Sequence, residues 1–392
     1  QAGTYNEKIY YLGGADSGFL VDGIVYPLGG VSGFRPNSTL YDPNLKPQNT
    51  SNWEAGIELK FLENRIGIDY TYSYQNATDQ IFSVPMAGST GYGSFVTNAG
   101  EMTSKAHELV FYVSPVRTPN FDWTINVNFT KIKNEVVSLA EGIESVSLVG
   151  FVTPYVAAFA GQTYPTIYGE TMARDSKGNI LIDDDPNSWY YGMPMSGGSG
   201  KIGDVSPDFI MSFTNTLSYK WVSLSAQFDW KQGGDIYSGT NRLMALYGAA
   251  AYTEDRSTPF QYKDMQNAKG VGVLATSGAV NNITRGGAED IWAYPDFYND
   301  VQGTIDEMNV YENSYFKLRE VALNITLPRK IVAPIKMKGA SVSLIGRNFL
   351  LWSTLPNVDP ETSQGMGNGQ MGFDYMSLPQ TTSYGVTLNL TF

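Results

Sequence analysis

The chain closes on TTSYGVTLNLTF, where large or apolar side chains fall on every second position. Tyr384, Val386, Leu388, Leu390 and Phe392 share a parity with Thr382, while Ser383, Gly385, Thr387, Asn389 and Thr391 take the other. Successive strand side chains point to opposite faces, so this segment reads as a strand with one apolar and one polar face. It is long enough to cross a bilayer as a tilted strand. The last strand of a soluble sandwich alternates in the same way, so the remaining segments must decide between the two.

Similar alternation recurs along the chain. WEAGIELKF sets Trp53, Ala55, Ile57, Leu59 and Phe61 against Glu54, Glu58 and Lys60, and RIGIDYTYSY sets Ile66, Ile68, Tyr70, Tyr72 and Tyr74 against Asp69, Thr71 and Ser73. FDWTINVNF, WVSLSAQFDW and LREVALNITL repeat the pattern, with weaker cases at 106–113, 208–219 and 340–349; Asn215 breaks the apolar parity of its segment. The pattern predicts nine strands, at about 53–61, 66–75, 105–113, 121–130, 208–219, 221–230, 314–327, 340–349 and 380–392. The connections between them alternate between short (62–65, 114–120, around Lys220, 328–339) and long (76–104, 131–207, 231–313, 350–379). A sandwich gives no reason for that rhythm. An outer-membrane barrel does, because its periplasmic turns are short and its external loops long.

The rhythm also assigns direction. The last strand follows a long loop, so it descends, and Phe392 comes to lie at the periplasmic rim. Trp53 and Phe61 then fall at opposite interfaces, as do Trp123 and Phe129, which is what two headgroup girdles require. By parity, Lys317 and Arg319 face outward near the external end of their strand, where such residues snorkel or meet lipopolysaccharide phosphates. Nine strands with two bare edges do not close in a membrane, because unpaired backbone groups face lipid. The chain therefore reads as part of a larger all-β antiparallel transmembrane barrel, or as a sheet that another chain closes.

Composition agrees with this picture. Aromatic residues make up 13% of the chain, which suits interfacial girdles. No run of about 18 apolar residues provides a transmembrane helix, and a barrel does not need one. The absence of cysteine excludes disulfide scaffolds, zinc–cysteine sites and thiol catalysis. A net charge of −12 argues against a nucleic-acid partner.

Catalytic patterns are not evident. The single histidine, His107, shares parity with Leu109, Phe111 and Val113, which places it on the outward face near a strand end. MSGGSGKI departs from a phosphate-binding loop at Met195 and Ile202 and reads as a flexible loop. DSKGNILIDDD lacks calcium-loop spacing: Asp175 to Asn179 reads as a β-turn, and Asp183, Asp184 and Asp185 offer at most a weak cation site. Glu54 and Glu58 share the polar parity and read as lumen lining rather than as a glycosidase pair. No cofactor and no enzymatic role are expected.

Several blocks resemble one family. YDPNLKPQNTSNWEAGIELKFLENRIGIDYTYSYQNATDQIF, GSTGYGSFVTNAGEMTSKAHELVF, TIYGETMARDSKGN, GDVSPDFIMSFTNTLSYKWVSLSAQFDWKQGGDIY, SYFKLREVALNITLPRKI and VSLIGRNFLLWSTLPNVDPET resemble, in order, the SusC/RagA-type TonB-dependent outer-membrane transporters of Bacteroidetes. The similarity runs from Leu40 to Phe392. It departs at SKAHELVF, where the family more often has a glycine before the glutamate.

The resemblance implies a barrel of about 22 strands with a plug, of which these would be the last nine. The plug and first barrel strands would be absent, residues 1–52 would form an extracellular loop region with Gln1 in it, and residues 53–392 would hold the strands and long loops. It further implies active import of a large nutrient, a glycan or an oligopeptide, across the outer membrane. The implied partners are a SusD-like surface lipoprotein, TonB acting through the missing N-terminal part, that N-terminal part itself, and outer-membrane lipid with lipopolysaccharide. A dimer of the transporter–lipoprotein complex is also implied. Phe392 resembles the terminal aromatic by which the barrel-assembly machinery recognises its substrates. Trp189, Tyr190 and Tyr191, in DDDPNSWYYG, are the candidate substrate contacts, suited to stacking on sugars or gripping a peptide. Two other readings remain open: a secreted β-rich glycan-binding protein or glycosidase, and a passive porin.

Overall fold

The structure is a computed structural model that describes residues 10–12, 34–36, 38–150, 153–363 and 371–392. The placement expected for Gln1, and most of the 1–52 loop region, lies outside these residues.

Nine strands form one antiparallel meander in which each pairs with its neighbour in sequence. They are β1 (Asn49–Phe61), β2 (Ile66–Pro85), β3 (Ser94–Arg117), β4 (Phe121–Leu139), β5 (Phe209–Tyr219), β6 (Val222–Gln232), β7 (Tyr315–Thr326), β8 (Gly339–Ser353) and β9 (Ser383–Thr391). A short segment, Thr39–Tyr41, lies parallel to the start of β3. The sheet is open: among the described residues β1 pairs only with β2 and β9 only with β8.

The register aligns the apolar parity of all the strands on one face. One row crosses the sheet as Leu59, Ile68, Phe111, Val127, Phe213, Phe228, Leu318 and Leu350. A second row carries Leu217, Leu224, Leu323, Leu344 and Val386. No second sheet covers these side chains among the described residues: Ile57 is 51% exposed, Leu344 44% and Val386 74%. A face this extensive and apolar is incompatible with water, so the sheet is a wall of an outer-membrane barrel and not half of a sandwich.

Aromatic pairs mark the upper border of this face. Phe129 meets Phe209 at 5.5 Å between ring centres, Phe209 meets Trp230 at 5.1 Å, and Phe316 meets Trp352 at 5.8 Å. Asn215, a polar residue midway along β5 on this face, accepts a 3.4 Å hydrogen bond from the Trp123 indole, so its amide is not left bare toward lipid. His107 lies where its parity puts it, with Nδ1 2.8 Å from the Tyr70 hydroxyl and its ring 5.0 Å from Tyr72.

Three expectations are corrected. Residues 76–104 are not a long loop. β2 continues to Pro85 and β3 starts at Ser94, a hairpin with strands of 20 and 24 residues. A bulge with Asp79 at φ 54° shifts the register after Ala77, and this hides the alternation in the sequence. Lys317 and Arg319 do not face outward. β7 bulges at Arg319, which flips the parity of the preceding residues, so Phe316 and Leu318 take the lipid face and Lys317 is buried on the inner one. The MSGGSGKI segment is not a flexible loop but a strand, Ser196–Asp204, paired with Thr166–Met172. Its glycines permit the approach: a Cβ at Gly197 would lie 2.7 Å from the Thr171 hydroxyl.

The turns at 62–65 and 118–120 and the Lys220–Trp221 turn join strands at one end of the sheet, with Leu62, Glu63, Asn64 and Lys220 at positive φ. The connections 140–208, 233–314 and 354–382 gather at the other end, where they pack instead of hanging loose. The buried hydrophobic clusters of the described residues lie mainly in this layer. The largest includes Met172, Ile180, Ile182, Phe260, Tyr262, Phe297 and Met308, and a second holds Val156, Ile167, Tyr237 and Phe373. Strands Ser145–Gly150, Tyr155–Phe159, Thr166–Met172 and Ser196–Asp204 form a separate four-stranded sheet there. The long connections are thus a roof with its own core.

Candidate functional site

Between the inner face of the sheet and the underside of this roof lies a cavity of about 800 Å³. Its wall is laid out by register. Gln75, Ser104 and Asn134 form one row, and Thr130, Ile210, Lys231 and Tyr315 another. Tyr164–Pro165, Val205–Pro207 and Pro360–Ser363 close it from the roof side. The row residues come from the parity opposite to the lipid face, so a single alternation provides both the membrane surface and a lining in which Gln75, Ser104, Asn134, Thr130 and Lys231 stand among apolar side chains such as Ile132 and Ile210.

An ion network pins the roof to this wall. Lys317 donates to Glu361 at 2.6 Å and to Gln380 at 2.8 Å. Arg319 forks to both oxygens of Glu361, at 2.9 and 2.5 Å, and reaches Asp229 at 2.5 Å. Burial works to raise the Glu361 pKa, but the Arg319 and Lys317 contacts outweigh it and hold the carboxyl down at about 2. Glu361 is therefore ionised throughout the physiological range and acts as an anchor, not as a proton donor.

Within the roof, Asp306 accepts from the Glu170 amide at 3.0 Å. Burial raises its pKa to about 6 despite that bond. Burial also lowers Lys269 to about 8, and its ammonium donates to the Glu307 and Val310 carbonyls. A buried acid raised in the folded state stabilises it fully below the usual carboxylate pKa, and that contribution is lost as pH rises through about 6. The roof segments around Glu170 and Asp306 should therefore show lower amide protection factors, with the intrinsic pH dependence of exchange divided out, at pH 7 than at pH 5. The Asp306→Asn variant, which keeps the acceptor without the charge, should lose much of that difference.

The aromatic triplet is held on an outer loop by the acidic residues before it. Asp183 accepts from the Asp185 amide at 3.0 Å and from the Ser188 hydroxyl, and Asp185 accepts from the Asn187 amide at 2.9 Å. Asp184 accepts from the Thr276 amide at 3.2 Å. The Arg285 guanidinium donates to the Tyr191 carbonyl and pairs with Asp290 at 2.6 Å. Asp183 and Asp185 thus cap turns while Asp184 ties the loop to Thr276, and no cluster of three or more metal-ligating side chains is found among the described residues. Asp175 makes the expected turn, accepting from the Lys177 and Asn179 amides at 2.8 and 2.9 Å.

Trp189 is 66% exposed and Tyr190 43%, while Tyr191 is half-buried. None of the three lines the 800 Å³ cavity. The sequence reading missed Lys231, Tyr315 and Glu361, which do. The strand parity could have placed Lys231, but nothing in the sequence marks Glu361 as the partner of Arg319, 42 residues away.

No family model matches the chain. Among curated proteins it is 25% identical over 387 residues to the TonB-dependent receptor P26 of Formosa agariphila, covering 90% of this chain and 35% of that protein. It is 24% identical over 372 residues to the TonB-dependent receptor P3 of the same organism. It is 27% identical over 211 residues to the TonB-dependent receptor SusC of Bacteroides thetaiotaomicron, covering 50% of this chain. The chain is similar over most of its length to TonB-dependent receptors, and over half of it to SusC. It spans about a third of the length of the curated relatives it matches over most of its own. The solved structure of the RagAB peptide transporter superposes on all of this SusC-like chain with a TM-score of 0.67 at 16% identity, using 39% of that transporter's chain. This agrees with the open wall of an outer-membrane barrel described above.

Proposed function

We propose that this chain is the C-terminal part of the barrel of a TonB-dependent importer that moves a large nutrient, a glycan or an oligopeptide, across the outer membrane. The roofed cavity of about 800 Å³ carries this reading, since it offers a passage lined by both polar and apolar side chains and covered on the outside by a packed layer rather than an open pore. The roof argues against a passive porin, and the single lipid-facing sheet argues against a secreted sandwich. Glu361, paired with two cations, is unsuited to glycosidase chemistry.

In this reading the free edges of β1 and β9 pair with strands from the rest of the barrel, which also supplies the plug and the TonB-binding segment. Residues 1–52 belong to the extracellular loop region, Phe392 serves barrel assembly, and a SusD-like lipoprotein docks on the roof. Possible dimerisation of that assembly follows from the family resemblance alone. The RagAB structure, named for a peptide importer, supports the peptide arm, and the likeness to SusC supports the SusC-type assembly.

Deleting TonB should abolish growth on the cargo while leaving the protein in the outer membrane; growth that persists identifies a porin. In the full-length protein, replacing Trp189, Tyr190 and Tyr191 together by alanine should weaken cargo binding by about tenfold or more, at about 1–3 kcal/mol for aromatic stacking on a ligand. Unchanged affinity by calorimetry removes the triplet from the binding surface.

A further inference from the structure

The lipid-facing side of β3 and β4 carries a feature that import does not use. Going up this face from Leu109 and Phe129, the next positions are His107 opposite Lys131, then Lys105 opposite Lys133. Tyr72 and Tyr74 continue these two rows on β2, and Trp53 stands beside Tyr74 on β1. The rows lie at the roofed end of the sheet, just above the aromatic border. All three lysines are exposed.

Two lysines directly opposite across paired strands repel each other. Lys133 has a carboxylate nearby, Glu135 at 3.8 Å, but among the described residues no carboxylate comes within ion-pair distance of Lys105 or Lys131. In a chain of net charge −12, a group of three lysines and a histidine on one outward patch is locally opposite in sign to the whole. Isolated rim lysines snorkel into headgroups. A repelling pair gains more from an anion that bridges it.

We infer that Lys105, Lys131 and Lys133 form a binding site for the phosphorylated headgroup of an outer-leaflet lipid. Three features match one such molecule. The lysines stand at headgroup height, the rings of Trp53, Tyr72 and Tyr74 flank them at the interface, and the apolar rows through Leu109 and Phe111 lie below for acyl chains. This inference rests on the outer-membrane placement of the sheet and not on the import reading, so the two can fail separately.

The test uses the full-length protein in phosphatidylcholine nanodiscs doped with bisphosphoryl or with dephosphorylated lipid A, and lipid retained after purification is read by mass spectrometry. The wild type should enrich the bisphosphoryl form at least about tenfold over the dephosphorylated one, since each lysine near an anionic lipid surface contributes a factor of about five. Replacing all three lysines by glutamine should abolish the enrichment, and replacing all three by arginine should preserve it. Equal retention of the two lipids by the wild type overturns the inference, as does enrichment that survives the glutamine variant. Displacement by added inorganic phosphate overturns the assignment to a lipid. Should the triple glutamine variant not fold, as judged by loss of heat-modifiable migration on SDS gels, Lys131→Gln alone should show about a fivefold loss, and no loss overturns the site.

Discussion

Replacing Phe213 by arginine is expected to destabilise the assembled barrel by about 2–4 kcal/mol, whereas Thr214→Arg is expected to change it little. Phe213 lies midway along β5 on the outward face, between Val127 and Phe228, with its ring 5.0 Å from that of Phe228. An arginine there puts a guanidinium into hydrocarbon near the bilayer midplane and removes an aromatic contact. Thr214, one residue further on, points to the inner face between Asn126 and Gln227, where a charge finds water and amides. Urea titration of the full-length protein folded into vesicles, read by heat-modifiable migration, measures the difference. Equal losses from the two variants would mean that the faces are not distinguished by lipid.

Glu361→Gln should release the roof from the wall. The substitution leaves Lys317, which is 2% exposed, with Gln380 as its remaining side-chain partner, and it takes the bidentate acceptor from Arg319. Removing one member of a buried ion pair costs about 3–5 kcal/mol, because the other charge stays desolvated and uncompensated. The cost falls on the segment 354–363 and not on the strands, whose ladders are untouched. Hydrogen exchange of amides in that segment should accelerate by about two orders of magnitude or more, while protection of β5 and β6 is unchanged. Exchange that stays slow would show that the backbone contacts Ser314–Thr354 and Asp359–Thr362 hold the segment without the ions. The acid limit has the same origin: Glu361, held at about 2, stabilises the fold above the ordinary carboxylate pKa and loses that contribution as pH falls through about 2.

The nine strands were legible because their lipid-facing residues leave a period of two that no local turn disturbs, as in Phe121 to Phe129 and Tyr384 to Phe392. Legibility failed where a bulge inserts one residue. At Asp79 the bulge concealed residues 76–85 of one strand and 94–104 of the other. At Arg319 it inverted the apparent outward direction of Lys317, because a single extra residue flips every side chain before it. The roof was illegible for another reason. Its strands are short, its core is assembled from segments far apart, such as Met172 with Met308, and pairings at that distance leave no periodic mark. The cavity was half legible: parity identifies its wall, while its lid depends on the roof.

The placement of the buried clusters has a consequence for how the protein fails. The wall draws its stability from hydrocarbon outside it, and the roof from exclusion of water within it. Two different solvents therefore support one polypeptide. A mild detergent that replaces the bilayer spares the roof, and a cosolvent that weakens water-driven packing can loosen the roof while the strand ladder stands. Cold, which weakens the hydrophobic effect, acts on the roof alone, so the entrance should loosen on cooling before the cylinder does.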